Sequence, residues 1–379
     1  MGFSDSSIDD FRFEVQKFLV ESQATGVACV EYGTILPPAL IDAAQRWQHA
    51  IAAAQFAGID WAKKHHGQGL SEAHSVIWYE ECARAGIAPY ANFQGYVLTA
   101  GALRAFGTAE QVDTHLPGIL DGSVVWCQLF SEPNSGSDLS SLMTRAEPDG
   151  EGWRISGQKI WTSTAQVSQW GILLARTDSG SRGARGISFM LIDMTQPEID
   201  VRPIQQMTGD AEFCEVFFTD VEVPADAVLG AVNDGWRVAM EVLIDERGGA
   251  GGAGVISLGQ RLDALIDGVT DRGQTLDPLA RSSVAHLLGR GRALQSLMER
   301  SGGDARTANV AKLFNSDLGY AEAALGSALE GAHGMLNGPV TDRLLYSPGM
   351  RIAGGSSEIQ RNIIGERTLG LPREPQPEG

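Results

Sequence analysis

The chain has 379 residues and carries 47 acidic against 29 basic side chains, which gives a formal net charge of −18. A chain of this length buries a large core and is expected to form two or three domains that fold together. Its negative charge repels nucleic acid and anionic lipid alike. The composition therefore excludes a nucleic-acid-binding protein and one held electrostatically on a membrane.

The cysteines and histidines predict neither disulfides nor a metal site. Four cysteines are scattered along the chain without a C-x-x-C pair: Cys29, Cys82, Cys127 and Cys214. That pattern is typical of a reducing compartment. The adjacent His65 and His66 are expected to be solvated on a loop. No basic segment precedes an apolar one at the N-terminus, and no run approaches the roughly 20 apolar residues of a membrane span. We therefore expect a cytoplasmic protein without membrane contact.

The period of the hydrophobic pattern changes twice along the chain. From Ile8 to about Leu120, segments such as FRFEVQKFLVES and VIWYEECARAGI space apolar residues three and four apart, as in amphipathic helices. Between Val124 and Val223 the pattern becomes short β-rich runs, GILLART, GISFMLIDM and EVFFTDVEV. The first third is therefore predicted to be helical and the middle to be a β-domain.

Helical patterns return after Gly230. They comprise WRVAMEVLIDER, a long stretch from Leu258 to Arg300, TANVAKLFNSDLGYAEAALGSALEG and EIQRNIIGERTLGL, and only the tail PREPQPEG has a disordered composition. The resulting α–β–α order predicts an α+β protein. Its predicted domains are residues 1–122, 123–230 and 231–379.

Two segments carry a family resemblance. Residues 126–138 read WCQLFSEPNSGSD and residues 157–164 read GQKIWTST. Together with IQRNIIGERTLGL near the C-terminus, they resemble the acyl-CoA dehydrogenase family over nearly the whole chain, from Ile8 to Pro372. The resemblance implies an N-terminal helical domain, a central β-barrel-like or β-sandwich domain and a C-terminal four-helix bundle. It also implies FAD as cofactor and an acyl-CoA as substrate.

A flavin needs hydrogen-bonding groups at its pyrimidine edge, an apolar wall and donors for its pyrophosphate. The resemblance assigns Gln128, Phe130 and Ser131 to the isoalloxazine, and Ser137 to the flavin and the CoA pantetheine. It also assigns Trp161 to the ring face and Ser163 to the vicinity of the flavin N5. Two simpler readings remain open: Trp161 as a core residue, and SEPNSGSD as an ordinary turn with an Asp cap.

The C-terminal part implies contacts with the FAD of a neighbouring subunit. The resemblance assigns Ser356, Glu358 and the stretch Ala328–Ala332 to these contacts. It also assigns Arg272 and Gln274 to the FAD pyrophosphate across a subunit boundary. The usual R-x-x-F-G is here Arg-Gly-Gln-Thr-Leu, however, so Arg272 as a plain surface charge stays open. The implied assembly is a homo- or heterotetramer.

The family's usual catalytic carboxylate is missing. Where its best-known members carry Glu-Gly-Thr-x-x-Ile, residues 354–359 read GGSSEI, so Gly354 stands at the catalytic position. Removing a proton from the carbon α to a thioester requires a carboxylate and donors to the thioester oxygen. The backbone amide of Gly354 remains, and the resemblance implies that it polarises the thioester carbonyl. The base must lie elsewhere.

A subset of the family carries its base in the form Leu-x-x-Glu-Arg on a helix after the β-domain. Residues 243–247, LIDER, have that form, which makes Glu246 the predicted base and Arg247 a candidate substrate contact. Asp245 is a weaker candidate. A solvated glutamate on an amphipathic helix is the alternative.

The small residues that follow raise a different possibility. A G-x-G-x-x-G pattern at Gly249, Gly251 and Gly254 follows a helical run instead of a strand, so we reject it as a nicotinamide site. Small residues here suit close approach of a flavin ring or tight helix packing, and the sequence does not choose between them.

Two functions from different classes follow. The first is dehydrogenation of a branched or bulky acyl-CoA, because Gly354 leaves space and the segments resemble actinobacterial enzymes acting on steroid side chains. Electrons would then pass to an electron-transfer flavoprotein. The second is a non-catalytic subunit of a heteromeric dehydrogenase. No motif separates a dehydrogenase from a flavin oxidase or oxygenase on the same fold.

Overall fold

The computed structural model describes residues 7–33, 35–248, 251–301 and 305–372. For residues 244–248, 251–253, 255, 301 and 305 it describes the backbone alone. The chain divides into two compact units, Met1–Asp245 and Glu246–Gly379. Each unit is built around its own core, whereas the division into three domains remains a prediction.

The first unit begins with the predicted helical region. Its helices are α1 (Ile8–Ala24), α2 (Ile41–Ala53), α3 (Glu72–Ala85), α4 (Ala100–Phe106) and α5 (Ala109–Leu120). Helix α5 starts with a capping box, in which the side chains of Thr108 and Gln111 each accept from the other's backbone N–H. On α1, Phe11, Val15 and Leu19 recur every four residues and are buried. These elements confirm the helical first third.

A π-helical segment, Gln94–Thr99, leads into α4 and packs against the first strand. Just before it, the Asn92 side chain donates to the carbonyl of Trp126 at 3.1 Å and accepts from its N–H at 2.9 Å. Both residues are buried. Asn92 thus supplies both backbone partners for the first residue of the β-region.

The β-region forms one seven-stranded sheet in the order β1-β4-β2-β3-β7-β6, with β5 paired to β4. The strands are β1 (Trp126–Leu129), β2 (Arg145–Asp149), β3 (Gly152–Ser163), β4 (Trp170–Arg176), β5 (Ile187–Asp193), β6 (Ile199–Ile204) and β7 (Phe213–Val223). Strand β1 runs parallel to β4, and β3 runs antiparallel to β7. The three predicted β-rich runs correspond to β4, β5 and β7.

Strand β4 shows why its sequence is apolar throughout. Ile172 and Leu174 pack into the core shared with the helices, while Leu173 and Ala175 pack into a second core between the strands. Successive side chains of a strand point to opposite faces, so a strand covered on both sides is apolar at every position.

Helix α6 (Gly235–Gly248) contains the division between the units. The second unit is a helical bundle of α7 (Gly251–Asp271), α8 (Pro278–Ser301), α9 (Ala305–Glu330) and α10 (Pro339–Met350), followed by the short α11 (Ser357–Ile363). Its core is largely leucine: Leu258, Leu262, Leu265, Leu287, Leu294 and Leu318. The chain thus has the predicted α+β fold with a C-terminal four-helix bundle.

The predicted helical stretch Leu258–Arg300 consists of two helices, α7 and α8. Gly273 has a φ of +68° after α7, and Asp277 Oδ1 accepts from the N–H groups of Leu279 and Ala280 at the start of α8. Pro278 occupies the first position of α8. A glycine stop, an aspartate cap and a proline start therefore interrupt the hydrophobic period.

The G-x-G-x-x-G pattern lies in helical surroundings, as the sequence predicted. Gly251 and Gly254 lie in the first turn of α7, which follows α6 and not a strand, while Gly249 lies outside the described residues. A dinucleotide fingerprint requires a preceding strand. This geometry supports the rejection of a nicotinamide site.

Candidate active site

The structure brings the two predicted flavin segments side by side. The N–H of Ile160, in β3, donates to the carbonyl of Ser131, just after β1, at 2.9 Å. This hydrogen bond joins the middle of one segment to the middle of the other. Gln128, Ser131 and Ser163 are half-buried, and Phe130 is buried.

A β-bulge positions Trp161. Lys159 pairs with Val216 and Thr162 with Cys214, so Ile160 and Trp161 together face the single residue Glu215. A bulge redirects side chains relative to the regular strand. Trp161 has a φ of +61°, and 58 % of it is exposed. The exposed ring contradicts the reading of Trp161 as a core residue.

The serine-rich segment after β1 is a tight turn. The backbones of Glu132 and Ser135 exchange hydrogen bonds of 3.2 and 3.0 Å, and Asp138 accepts from the Ser140 hydroxyl at 2.9 Å. Ser137 is exposed at this turn. The turn and its aspartate match the simpler reading of SEPNSGSD, but they also leave the Ser137 hydroxyl available to a ligand.

Several polar groups around this region lack protein partners. Within the described part of the chain, the side chains of Gln128, Ser131, Ser137 and Ser163 make no hydrogen bond, and the Thr162 hydroxyl is fully buried without a partner. Buried polar groups in proteins normally have a partner, so orphaned ones call for an explanation. Hydroxyl and amide groups beside an exposed indole are the donor set that a flavin requires, and these residues fit FAD.

A buried ion pair, Lys159 with Glu132, joins the two segments. The Lys159 ammonium donates to Glu132 Oε1 at 2.9 Å and to the Phe130 carbonyl at 3.0 Å. Lys159 is fully buried, and its burial lowers its pKa to about 8 against the opposing effect of Glu132. Burial opposes ionisation of Glu132, but Lys159 and hydrogen bonds from Thr144 and Met143 outweigh it and lower the pKa of the carboxyl.

Sequence reasoning missed this pair. The sequence signal was a lysine inside a strand of otherwise alternating pattern, one residue after Gln158 in GQKIWTST. Lysine is almost never fully buried unless it is paired. Its partner lies 27 residues earlier, however, and nothing in local periodicity identifies it.

In the second unit, Gly354 lies in a tightly held turn. Gly354 has a φ of +64° and Gly355 one of +93°. The Gln360 side-chain amide donates to the Gly354 carbonyl at 2.9 Å, and the Lys312 ammonium donates to the Gly355 carbonyl at 2.6 Å. Both glycines thus occupy backbone regions that other residues rarely adopt. Sequence reasoning missed Lys312 and Gln360 as well.

Ser356 and Glu358 lie at the start of α11. The Ser356 hydroxyl accepts from the N–H of Ile359 at 3.4 Å and caps the helix. Glu358 is exposed, and hydrogen bonds from its own N–H and from Ser356 lower its pKa. A role of either residue toward a neighbouring subunit's FAD remains a prediction.

Arg272 forms an ion pair with Glu330, which belongs to another part of the predicted subunit contact. Its guanidinium donates to both carboxylate oxygens of Glu330 at 3.1 and 3.0 Å and to the Leu329 carbonyl at 3.2 Å. Glu330 and Leu329 belong to the stretch Ala328–Ala332. The structure therefore brings these two predicted FAD-contacting parts together within one chain, while Gln274 is exposed nearby in sequence.

The predicted base lies where side chains are not described. Glu246 and Arg247 belong to the last turn of α6, and their side chains, like that of Asp245, lie outside the described part of the structure. The assignment of Glu246 remains a prediction. Among the described residues, no group of three or more His, Cys, Asp or Glu is arranged to hold a metal ion, and no helix is long and apolar enough to cross a membrane.

Three sequence models of the acyl-CoA dehydrogenase family match successive parts of the chain. The N-terminal domain matches residues 7–123, the middle domain residues 127–221 and the C-terminal domain residues 233–369. Together they cover most of the described residues.

Two similar proteins are also acyl-CoA dehydrogenases. The chain is 40 % identical to the acyl-CoA dehydrogenase IpdE1 of Mycobacterium tuberculosis, over 97 % of this chain and 98 % of that protein. It is 38 % identical to IpdE1 of Mycolicibacterium smegmatis, again over 97 % and 98 %.

Solved structures share the fold. The ChsE4-ChsE5 complex from Mycobacterium tuberculosis superposes with a TM-score of 0.79 at 26 % identity, covering 99 % of this chain and 100 % of that one. The Tcur3481-Tcur3483 steroid ACAD gives a TM-score of 0.81 at 24 % identity over 97 % and 98 % of the two chains, a likeness of fold. The chain belongs to the acyl-CoA dehydrogenase family and is an oxidoreductase of that flavoprotein family.

Proposed function

We propose that this chain binds FAD and uses it to dehydrogenate a bulky acyl-CoA between its α and β carbons. The observation that carries the proposal is the pairing of the two flavin segments around the exposed Trp161. Four unpartnered polar side chains and a buried, orphaned hydroxyl lie along these segments. A flavin would satisfy the four unpartnered side chains and cover the indole.

Each group has a defined task in this proposal. Gln128 and Ser131 hold the pyrimidine edge, and Ser163 donates near N5. Trp161 covers the ring, while Ser137 contacts both the flavin and the pantetheine. Bound FAD would supply the acceptor for the hydride that leaves the β carbon. Preorganised donors of this kind lower the barrier because they need no reorganisation during the reaction.

Proton removal is assigned to a different part of the chain. The Gly354 N–H polarises the thioester carbonyl and thereby acidifies the α carbon. Glu246 then takes the α proton, and Arg247 contacts the substrate. A positioned general base typically contributes about 10²–10⁴-fold to the rate.

The absence of a side chain at Gly354 supports a bulky acyl group. A glutamate at this position would fill the space beside the α carbon, whereas glycine leaves it open. One of the similar solved proteins, Tcur3481-Tcur3483, is described as a steroid ACAD. We therefore favour a branched or polycyclic acyl-CoA over a straight fatty chain.

The proposal also includes an electron acceptor and an oligomeric state. Reduced enzyme passes its electrons to an electron-transfer flavoprotein in the cytoplasm. We infer a tetramer of identical or paired subunits from the resemblance of Arg272 and the Ala328–Ala332 stretch to intersubunit FAD contacts; within the single chain the Arg272 guanidinium is paired with Glu330. A heteromeric arrangement is supported by the likeness to the ChsE4-ChsE5 complex.

The test is an anaerobic titration of the purified protein with a panel of acyl-CoAs, after its cofactor has been extracted and identified. Expression alone and with a genomic neighbour separates the possible assemblies. We expect a yellow protein whose flavin is bleached preferentially by bulky acyl-CoAs. Colourless protein under every expression condition would contradict the proposal.

A non-catalytic subunit is the second candidate. The observations that favour it are Gly354 at the usual base position and the altered segment after Arg272. Flavin reduction by acyl-CoA in the chain expressed alone would exclude it. An FAD-free chain that is required for a partner's activity would establish it.

A further inference from the structure

We propose that Lys159 and Glu132 are positioning residues that lock the two flavin-facing segments in register, so that their ion pair determines how the protein holds FAD. The inference rests on the proposed function. It concerns one residue from each of the two segments, and neither residue is itself assigned to the cofactor.

The lysine is joined to the first segment by two hydrogen bonds. Its ammonium donates to the carbonyl of Phe130 and to the carboxylate of Glu132, at 3.0 and 2.9 Å. Between these two partners lies Ser131, whose hydroxyl is assigned to the flavin. Movement of the Lys159 side chain would therefore disturb the Phe130 carbonyl and the Glu132 carboxylate, which flank Ser131.

The glutamate extends the connection to a third segment. Its Oε2 accepts from the Met143 N–H at 2.6 Å, and its Oε1 accepts from the Thr144 N–H at 2.8 Å as well as from Lys159. Thr144 immediately precedes β2. Both carboxylate oxygens are thus used to close the serine-rich turn that carries Ser137.

The lysine also stands at the start of the bulge. Lys159 is the last residue of β3 in regular pairing with β7 before Ile160 and Trp161 leave the ladder. Ile160 then donates its N–H to Ser131. The position from which Trp161 projects is therefore fixed on one side by the Lys159 side chain and on the other by the resumed pairing at Thr162.

A contribution to stability alone would not require two charged residues at these buried positions. Burying two charges costs desolvation energy, and well-packed apolar residues of similar size are often as stable or more so. Lys159 is 0 % exposed and Glu132 7 %. What an apolar pair cannot supply is a set of directed hydrogen bonds to three backbone groups. The Phe130 carbonyl belongs to a flavin-facing segment, and the N–H groups of Met143 and Thr144 lie where the chain leaves the serine-rich turn.

The test compares Lys159→Met with a matched destabilised variant, Ile192→Ala. Ile192 is fully buried in β5, within the β-core, and has no contact assigned to the flavin. Both apoproteins are titrated with FAD, and the visible spectrum and midpoint potential of the saturated proteins are recorded. We expect Lys159→Met to bind FAD at least about ten-fold more weakly, with an altered spectrum and potential. Ile192→Ala should stay within about two-fold of the parent.

A folded Lys159→Met with parental FAD affinity, spectrum and potential would overturn the inference, and so would equal losses in both variants. Parent protein that binds no FAD would instead overturn the proposed function. The two failures are therefore distinguishable.

If Lys159→Met does not fold, amide exchange in the parent protein provides the test. Binding of FAD to the apoprotein should slow exchange at Met143, Thr144 and Ile160 more than at the β5 amides. Protection that is uniform over the β-region, or absent at these three amides, would contradict coupling between the pair and the cofactor.

Discussion

The side-chain amide of Gln360 donates a 2.9 Å hydrogen bond to the carbonyl oxygen of Gly354. Gln360 is fully buried, and Lys312 holds the next carbonyl, that of Gly355. The turn is thus restrained directly after the amide that we assign to the thioester carbonyl. Glycine adopts this positive φ without strain, but its backbone loses more conformational freedom on ordering than that of any other residue, so the two side chains that hold the turn restrain it.

Gln360→Leu should therefore lower kcat with little change in KM. The variant removes the tether and loosens an amide that acts in the transition state, for which we expect a loss of at least about ten-fold. The carbonyl stretch of a bound acyl-CoA should shift toward that of the free thioester. Ser347→Ala, which removes another buried side-chain hydrogen bond in this unit, is the control. Equal kcat losses in both variants would mean that Gln360 acts through stability alone.

Trp161→Ala should weaken FAD binding without destabilising the apoprotein. The ring is more than half exposed, so its removal creates no cavity, whereas an aromatic contact contributes about 0.5–1.5 kcal/mol beyond buried area, roughly a 2- to 10-fold change in the dissociation constant. Phe13→Ala, which removes an exposed ring from α1, is the control. Parental FAD affinity in Trp161→Ala would contradict the assignment of this ring to the flavin face.

The stability contributed by the buried ion pair should depend on pH in a defined direction. Glu132 has a lowered pKa in the folded protein, so its contribution is present above the unfolded value of 4.5 and is lost as the pH falls through the lowered folded pKa. In Lys159→Met the carboxylate stays buried without its cation, which costs on the order of 3–5 kcal/mol at neutral pH.

The difference in unfolding free energy between parent and Lys159→Met should therefore be largest near pH 7. It should shrink as the pH falls from about 4.5 through the lowered pKa of Glu132 in the folded parent. Denaturant unfolding at several pH values measures it. A difference in unfolding free energy that stays constant as the pH falls from 7 to 4 would contradict the stabilising ion pair between Lys159 and Glu132.

Gly354→Glu, added to Glu246→Gln, should partly restore turnover of slim, straight-chain acyl-CoAs. The new carboxylate stands at the family's usual position but fills the space that admits bulk. Because Gly354 has a φ of +64°, the substitution should also cost on the order of 1–2 kcal/mol of stability. Steady-state kinetics with straight and branched substrates test the prediction. Restored activity that favours bulky substrates would contradict the steric argument.

The sequence predicted the elements whose signals are local. Regular spacing of apolar residues identified the helices of the first third, and short apolar runs identified β4, β5 and β7. The break at Gly273 and the cap at Asp277 were also visible as stop and start signals, but the apolar period on both sides obscured them. Helix α10 was not predicted, and it contains Pro339 at its start and Pro348 within it.

The site was only partly predictable. Trp161 and the serines belong to recognisable motifs, whereas Lys159 and Gln360 act through contacts with backbone groups that tertiary folding brings near. The partner of Lys159 is 27 residues away along the chain, and Lys312 is 43 residues from the carbonyl it holds. Hydrophobic periodicity carries no information on such pairs.

The assignment of Glu246 as the base is the central claim, and stopped-flow measurement of flavin reduction tests it most directly. Glu246→Gln exchanges a single oxygen for an amide, so FAD content should stay unchanged while the rate of reduction by acyl-CoA falls by about 10²–10⁴-fold. Glu241→Gln, at an exposed position of the same helix, should leave the rate within about two-fold of the parent. An unchanged rate of flavin reduction in Glu246→Gln would contradict the account.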